Sequence, residues 1–233
     1  MREHIKTNIN HLRSLAQAAF DKRGTAGELI FLAATKSVPP EDINFAASCG
    51  ITHIGENRVQ ELSAKLPYLY PNLKIHFIGK LQTNKVKYII DKVCLIHSVD
   101  NIRLATEINR QAEKKNIVMD ILLEVNIAEE ESKSGTAPEA LWELACEVAS
   151  MENIRVCGLM TMGPVCHSES EYEKVFSKMY DFFLDFWEKK VHNIERGKIP
   201  APPLLSMGMS DSFVPAINQG ANIVRVGSAI FKT

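Results

Sequence analysis

Short apolar runs alternate with longer amphipathic segments along most of this 233-residue chain. The runs have the length of buried strands, and the segments between them carry apolar residues at helical spacing. Eight such strands, each joined to the next by a helix, form the pattern of a (β/α)8 barrel. In chain order the candidate strands are LIFLAA, THIG, KIHFIG, VCLIHSV, VMDILLEVNI, IRVCGLMTM, PLLSMG and NIVRVG.

A further helix is predicted before the first strand, because apolar residues from Ile5 to Ala19 recur on one helical face. We therefore predict an α/β fold: a single (β/α)8, TIM-type barrel with an additional N-terminal helix, forming one domain over residues 1–233. A doubly wound open sheet stays an alternative, because periodicity does not show whether the sheet closes. The polar stretch VHNIERGKIPAPP, before the seventh strand, is predicted to be a loop.

Composition excludes several classes of partner. The formal net charge is -1, with 27 basic and 28 acidic residues interspersed, so we expect binding to neither nucleic acid nor membrane. The five cysteines form no C-x-x-C pair and are predicted to be reduced thiols. No long apolar stretch or secretion signal is found. We expect a cytoplasmic monomer that binds a small ligand.

Polar and glycine-rich residues follow the strands, at the barrel end where active sites of this architecture lie. The segment SMGMS (residues 206–210) follows the seventh strand, and Gly227 and Ser228 follow the eighth. Loops after these two strands frequently bind phosphate, because free backbone N–H groups favour an anion. Alternatively, Ser210 or Asp211 is simply the N-cap of the short helix that follows.

A lysine, Lys36, ends the first strand in the sequence FLAATKSVPP. Lysine is rarely buried without a partner, and an amine beside a phosphate site suggests pyridoxal 5'-phosphate, whose aldehyde forms a Schiff base with lysine. The alternative is a surface lysine whose stem packs on the protein while its ammonium reaches water.

Eight segments together resemble the pyridoxal phosphate homeostasis proteins in order and spacing, from Phe31 to Phe231. The segments are ATKSVP, HIGENRVQE, HFIGKLQTNK, HSVDN, LLEVNIAEEESKSG, GLMTMGP, LSMGMS and VRVGSAIF. The resemblance implies a barrel like the N-terminal domain of alanine racemase, with pyridoxal 5'-phosphate at its mouth.

The same resemblance implies a set of cofactor-binding residues. Lys36 would be the Schiff-base lysine, and Arg225 would face the pyridine nitrogen. Asn57 and Met207 would line the cofactor. The phosphate would be held by Ser206, Ser210, Gly227 and Ser228.

Three functions are weighed: a carrier of pyridoxal 5'-phosphate, a racemase of the alanine racemase type, and a barrel for another phosphorylated metabolite. The resemblance favours the carrier, which would buffer the cofactor and pass it to apo-forms of enzymes that use it. We expect no efficient catalysis and no catalytic residue. An arginine facing the pyridine nitrogen disfavours protonation of that nitrogen. Alanine racemase, which this barrel resembles, completes its site with a tyrosine acid–base group from a second domain. Here the tyrosines fall in predicted helices or helix ends, and no second domain follows Thr233.

Other chemical groups are assigned structural roles. His53, His76 and His97 lie in or at the end of consecutive strands, but without a recognisable carboxylate pair we predict no metal site. Asp120 and Glu124 share a face of the fifth strand, where hydrogen bonds within the barrel are expected rather than acid–base catalysis. The aromatic stripe of the sixth helix is predicted to pack on the barrel; it comprises Tyr172, Phe176, Met179, Phe183 and Phe186.

Overall fold

The structure, a computed structural model, describes residues 2–24, 27–130, 134–187 and 203–232. Eight parallel strands close into a barrel in the order β1-β2-β3-β4-β5-β6-β7-β8. The predicted TIM-type barrel is therefore confirmed, and the open-sheet alternative is wrong because β1 pairs with β8. The strands are β1 Ile30–Ala34, β2 His53–Glu56, β3 Lys74–Phe77, β4 Leu95–Val99, β5 Met119–Glu124, β6 Ile154–Met160, β7 Leu204–Ser206 and β8 Ile223–Val226.

Eight α-helices surround the strands within these described ranges. The N-terminal helix is present as predicted and packs on the last two helices; Asn8 Nδ2 donates to Ile230 O at 3.1 Å. The helices are α1 Glu3–Arg23, α2 Pro40–Ser48, α3 Val59–Lys65, α4 Ile102–Lys114, α5 Leu141–Ala149, α6 Glu169–Asp185, α7 Phe213–Asn218 and α8 Ser228–Phe231.

The third crossover differs from the prediction of a helix. Residues Thr83–Tyr88 form a 3-10 helix between β3 and β4. Its apolar face is narrow, since Val86 is the buried residue of that segment. Shorter 3-10 segments also occupy Leu66–Tyr68 and Pro138–Ala140. The loop predicted at residues 191–203 lies outside the described residues except for Pro203, as does the end of the sixth helical segment, at residues 188–190.

Alternation along the strands divides the apolar core into two layers. One set of side chains packs between the strands and the helices, and the aromatic stripe of α6 joins it as predicted. The other set packs together in the barrel interior, as the side chains of TIM barrels do. The buried interior set comprises Leu32, Ile78, Leu95, Leu122, Cys157, Met160 and Ile223. Among the helices described, none is long and apolar enough to span a membrane.

Candidate functional site

A cavity of about 680 Å³ opens at the carboxyl ends of the strands, next to the β1–β8 closure. Six of the eight residues predicted to bind the cofactor line it. The lining residues are Ala34, Lys36, Ser37, Val38, Pro39, Asp42, Asn57, Ile78, Met162, Met209, Ser210, Asp211, Arg225, Gly227, Ser228, Phe231 and Lys232. The size suits a small organic ligand.

Lys36 stands on a tight turn that directly follows β1. The N–H of Thr35 donates to Gly55 O at 2.9 Å, and the N–H of Val38 donates to Thr35 O at 3.0 Å. Ser37 takes a positive φ of 60°, which is uncommon for a residue other than glycine. The turn therefore holds the backbone on both sides of Lys36 while its exposed side chain faces the cavity.

A buried ion-pair cluster supports this turn from behind. Lys65 Nζ donates to Thr35 O and to Glu56 Oε1, both at 2.8 Å, and to Glu61 Oε1 at 2.6 Å. Glu61 also accepts the N–H of Ser37, so the cluster contacts both neighbours of Lys36. Lys65 and Glu56 are almost fully buried, which makes their pairing necessary.

Two opposing effects act on the carboxylates of that cluster. Burial raises the pKa of Glu56, against hydrogen bonds from Lys65 and Thr35 that favour its charged form. Burial also acts to raise the pKa of Glu61, but hydrogen bonds from Lys65 and Ser37 outweigh it and leave that pKa lowered. Glu56 Oε2 has no hydrogen-bond partner among the described residues.

Arg225 is the charged group at the floor of the cavity. It is 4% exposed, and its Nη1 donates to Ser206 Oγ at 2.6 Å while Nη2 donates to Thr161 O at 2.9 Å. Burial lowers the pKa of Arg225 to about 10, with the nearby Glu124 carboxylate acting against that change. The guanidinium therefore keeps its charge at neutral pH and offers only hydrogen-bond donors to a ligand.

Hydrogen-bond donors converge on Ser210 between the β7 and β8 exits. Ser210 Oγ accepts the N–H of Gly227 at 3.2 Å and of Ala229 at 3.3 Å, and Ser228 Oγ lies 3.0 Å away. Gly208 precedes this group with a φ of 90°, and a Cβ there would lie 2.5 Å from that of Ala216. Only glycine fits that bend. Backbone N–H groups and hydroxyls grouped in this way can bind an anion.

Asn57 reaches the cavity from the exit of β2, where the next strand approaches its backbone closely. A Cβ on Gly79 would lie 2.3 Å from Asn57 O and 2.7 Å from Asn57 Cα. Glycine at this position therefore allows the β3 exit to pack against Asn57.

The structure places Ser206 and Met207 differently from the prediction. Ser206 ends β7 inside the barrel, is fully buried, and hydrogen-bonds to Arg225 and to His97. Met207 points the other way, into the apolar layer between strands and helices. Neither lines the cavity, because Ser206 is the last residue of β7 and faces the barrel interior, while Met207 faces the helices. Contact of either residue with the cofactor stays a prediction.

The three strand histidines hydrogen-bond to one another inside the barrel. His53 Nδ1 lies 2.8 Å from His76 Nε2, and His76 Nδ1 lies 2.9 Å from His97 Nε2. Because their ring nitrogens face each other, they do not converge on a common point. The described ranges contain no cluster of three or more metal-ligating side chains.

The two acidic residues of β5 form hydrogen bonds, as expected. Asp120 accepts from Arg155 at 2.6 Å and 2.7 Å. Glu124 is buried and accepts from Ser134 Oγ at 2.6 Å, and burial raises its pKa. Their alternation on the strand places both on the same face.

Several site residues had no role in the prediction. Thr161 and Met162, from the segment GLMTMGP, contact Arg225 through a backbone carbonyl and a sulfur. Lys65 lies in α3, whose sequence has the pattern of an ordinary amphipathic helix. The sequence feature that could have identified it is its position three residues after Leu62, which places a lysine on the buried face of the helix.

The comparisons with known proteins agree with this geometry. Residues 40–233 match the family described as alanine racemase, N-terminal domain. The chain is 45% identical over 201 residues to the pyridoxal phosphate homeostasis protein of Aquifex aeolicus, covering 86% of this chain and 85% of that one. It is 34% identical over 232 residues to the Escherichia coli K12 protein of the same name, covering 97% and 95%.

The chain belongs to the pyridoxal phosphate homeostasis protein family. A solved structure agrees: PipY of Synechococcus elongatus PCC7942 with PLP bound has a TM-score of 0.82 at 28% identity, covering 97% of this chain and 99% of that one. Alanine racemase of Clostridium difficile 630 shares the fold with a TM-score of 0.76 at 15% identity, where this chain spans 59% of the racemase.

Proposed function

We propose that this family member binds pyridoxal 5'-phosphate in the cavity between the β1 and β8 exits, and buffers and carries it within the cell. The observation that carries the proposal is the position of Lys36, an exposed amine on a rigid turn that faces the same cavity as Arg225 and the Ser210 cluster. The PLP-bound structure of PipY, a relative over nearly the whole chain, supports the choice of ligand.

The residues present fit such a ligand. Lys36 Nζ would add to the aldehyde carbon and one water would leave, giving a Schiff base. Ser210, Gly227 and Ser228 would hold the phosphate through hydroxyl and backbone donors, and Asn57 would line the ring. Arg225 would donate to the pyridine nitrogen. Ser206 would act one step away, as the acceptor that holds Arg225 in place.

We propose that the bound cofactor is carried without efficient catalysis. When bound, pyridoxal 5'-phosphate supplies an electrophilic imine and an electron-accepting ring. Arg225 can donate a hydrogen bond to the ring nitrogen but does not transfer a proton to it, because the guanidinium stays cationic. None of the five tyrosines, all within the described ranges, lines the cavity. A tyrosine is therefore not in place to serve as the second group of the two-base proton transfer that a racemase needs.

Borohydride trapping tests the binding proposal. The loaded protein is reduced, digested and analysed by mass spectrometry, and we expect a pyridoxyl group on Lys36. The Lys36→Ala variant should retain no covalent cofactor. Lys80→Ala is the matched control, because Lys80 is an exposed lysine that follows β3 at the same end of the barrel. Modification of another lysine, or of none, would contradict the proposal.

A second experiment separates a carrier from a racemase. The loaded protein is incubated with L- and D-amino acids in deuterated water, and separately with the apo-form of a pyridoxal phosphate enzyme. We expect no turnover-level exchange of the α-proton, and we expect activation of the apo-enzyme. Rapid α-proton exchange on any amino acid would favour the racemase.

We also propose that the barrel acts as a single-domain monomer.

A further inference from the structure

The histidines inside the barrel belong to a longer chain of hydrogen bonds that ends at Arg225. His97 Nδ1 lies 3.0 Å from Ser206 Oγ, and Arg225 Nη1 lies 2.6 Å from the same oxygen. With the two contacts between the histidine rings, four consecutive hydrogen bonds connect His53 to Arg225. The proposed function involves only the last two members, Ser206 and Arg225, and gives the three histidines no role.

The strand register explains how this chain crosses the barrel. His53 pairs with Lys74, so His76 lies two residues further along its strand; Leu95 pairs with His76, so His97 again lies two residues further. Two strand residues span about 6.6 Å. The chain therefore climbs from the amino-terminal end, where His53 is partly exposed, towards the cavity, where His97 is fully buried.

Each neutral imidazole has one donor nitrogen and one acceptor nitrogen, so the tautomer of one ring determines that of the next. A chain of three neutral rings therefore has two possible orders, with every ring protonated on Nε2 or every ring protonated on Nδ1. Burial favours the neutral forms. It lowers the pKa of His53 to about 4 and of His76 to about 3, and that of His97 well below its ordinary value.

Ser206 decides between the two orders. Arginine is only a donor, so Ser206 Oγ accepts from Arg225. If His97 also donated to Ser206, the serine hydroxyl hydrogen would be buried with no acceptor in the hydrogen bonds of the described residues. That costs more than the alternative, in which Ser206 donates to His97 Nδ1. His97 is then protonated on Nε2, and so are the other two rings.

We propose that His53, His76 and His97 form one tautomer-ordered chain, each ring protonated on Nε2, in which His97 accepts the Ser206 hydroxyl hydrogen. The Ser206 oxygen is then oriented to accept from Arg225 and so positions it. The histidines and Ser206 are positioning residues, since none of them lines the cavity. The assignment of tautomers stands without any ligand. Its effect on the cofactor, through Arg225, rests on the proposed function.

Nitrogen-15 NMR of the histidine side chains tests the order on the cofactor-free protein, because protonated and unprotonated ring nitrogens have separate chemical shifts. We expect protonated Nε2 and unprotonated Nδ1 for His53, His76 and His97. Protonated Nδ1 on any of the three rings overturns the proposal. This measurement needs no variant, so it does not depend on a substitution that fails to fold.

Substitution of Ser206 tests whether the rings act together. Ser206→Ala removes the group that selects the order, so we expect mixed tautomers at all three rings, including His53 at the far end. Ser206→Thr keeps the hydroxyl and should restore the single order. Ser98→Ala is the matched control, because Ser98 is a buried serine that instead donates to Gly79 O at 2.6 Å. A response limited to His97, or no response, contradicts the ordered chain.

The effect on Arg225 is read from the absorption band of the bound cofactor before reduction. Borohydride trapping of a parallel sample shows whether that cofactor is covalently bound. We expect Ser206→Ala to shift this band relative to the unsubstituted protein, and Ser98→Ala to leave it in place. An unshifted band in Ser206→Ala contradicts the positioning of Arg225. If the unsubstituted protein traps no cofactor, the proposed function fails, while the NMR result still decides the tautomer order.

Discussion

Lys65 Nζ lies 2.8 Å from Glu56 Oε1 in a buried ion pair directly behind the turn that carries Lys36. The same ammonium holds the carbonyl of Thr35, the residue before Lys36. The position of the cavity lysine thus depends on a second lysine that the ligand does not reach.

Replacing Lys65 by methionine should therefore destabilise the protein and loosen this turn. Removal of one partner leaves the Glu56 charge buried without compensation, which costs about 3 to 5 kcal/mol in the free energy of unfolding. Lys178→Met is the control, because the Lys178–Glu129 pair is exposed and is expected to cost about 0 to 1 kcal/mol. Urea unfolding measures both values. Equal losses in the two variants would contradict the structural role of Lys65.

Ser210→Ala should weaken the binding of a phosphorylated ligand more than that of its unphosphorylated form. A lost hydrogen bond to a charged group costs about 1.5 to 3 kcal/mol, which corresponds to roughly 10- to 150-fold in Kd. We expect this loss for pyridoxal 5'-phosphate and a much smaller one for pyridoxal, measured by equilibrium titration. Equal losses for the two ligands would place the phosphate elsewhere.

The buried histidines predict a loss of stability in acid. The pKa of His76 is about 3 in the folded protein against 6.5 as its ordinary value, because burial disfavours the charged ring. Between these values the unfolded chain binds more protons than the folded protein does, so the free energy of unfolding falls as pH falls. The free energy of unfolding changes by about 1.4 kcal/mol per pH unit for one such histidine. Above pH 6.5 the ring is neutral in both states, so the full stability is present and no longer changes with its protonation.

Paired variants isolate this contribution from that of the buried acids Glu56 and Glu124, whose raised pKa values act with the opposite sign. His76→Gln should reduce the slope of stability against pH by about one proton, whereas His11→Gln, on the exposed face of α1, should leave it unchanged. Urea unfolding at a series of pH values between 4 and 7 gives the slopes. A slope that is the same in His76→Gln as in the unsubstituted protein would show that His76 does not gain this proton on unfolding.

Gly79→Ala should disturb the cavity through the backbone of Asn57. The new Cβ would lie 2.3 Å from Asn57 O, which a side-chain adjustment cannot relieve. We expect a loss of about 1 to 3 kcal/mol in the free energy of unfolding, together with weaker cofactor retention. Gly163→Ala is the comparison, since its Cβ would lie 3.2 Å from the Phe176 ring and meets no backbone. The claim fails if both variants retain the cofactor equally.

Most of the barrel could be predicted from local patterns. Apolar runs of strand length locate all eight strands, because both faces of a parallel barrel strand are buried. The 3-10 segment Thr83–Tyr88 could not be distinguished from an α-helix, since a six-residue amphipathic stretch has too little periodicity to decide. Barrel closure depends on the β1–β8 pairing, which no local pattern encodes.

The site was predictable where residues follow a strand and less so where they end one. Lys36, Ser210 and Gly227 lie clearly past their strands, and each lines the cavity. Ser206 is still within β7, and a single residue of register separates the mouth of the barrel from its interior. The link between histidines on consecutive strands depends on the stagger of the barrel, which a sequence does not reveal.

The pairing of Leu32 with Arg225 brings together strands from opposite parts of the chain. During synthesis β1 leaves the ribosome long before β8, so β1 stays without its β8 partner until the end of the chain has been made. A partly made chain that lacks β8 can therefore contain Lys36 but not the complete cavity, which Arg225, Gly227 and Ser228 also line. Under the proposed function, only a chain whose barrel has closed would bind the ligand, and binding would stabilise that closed state alone.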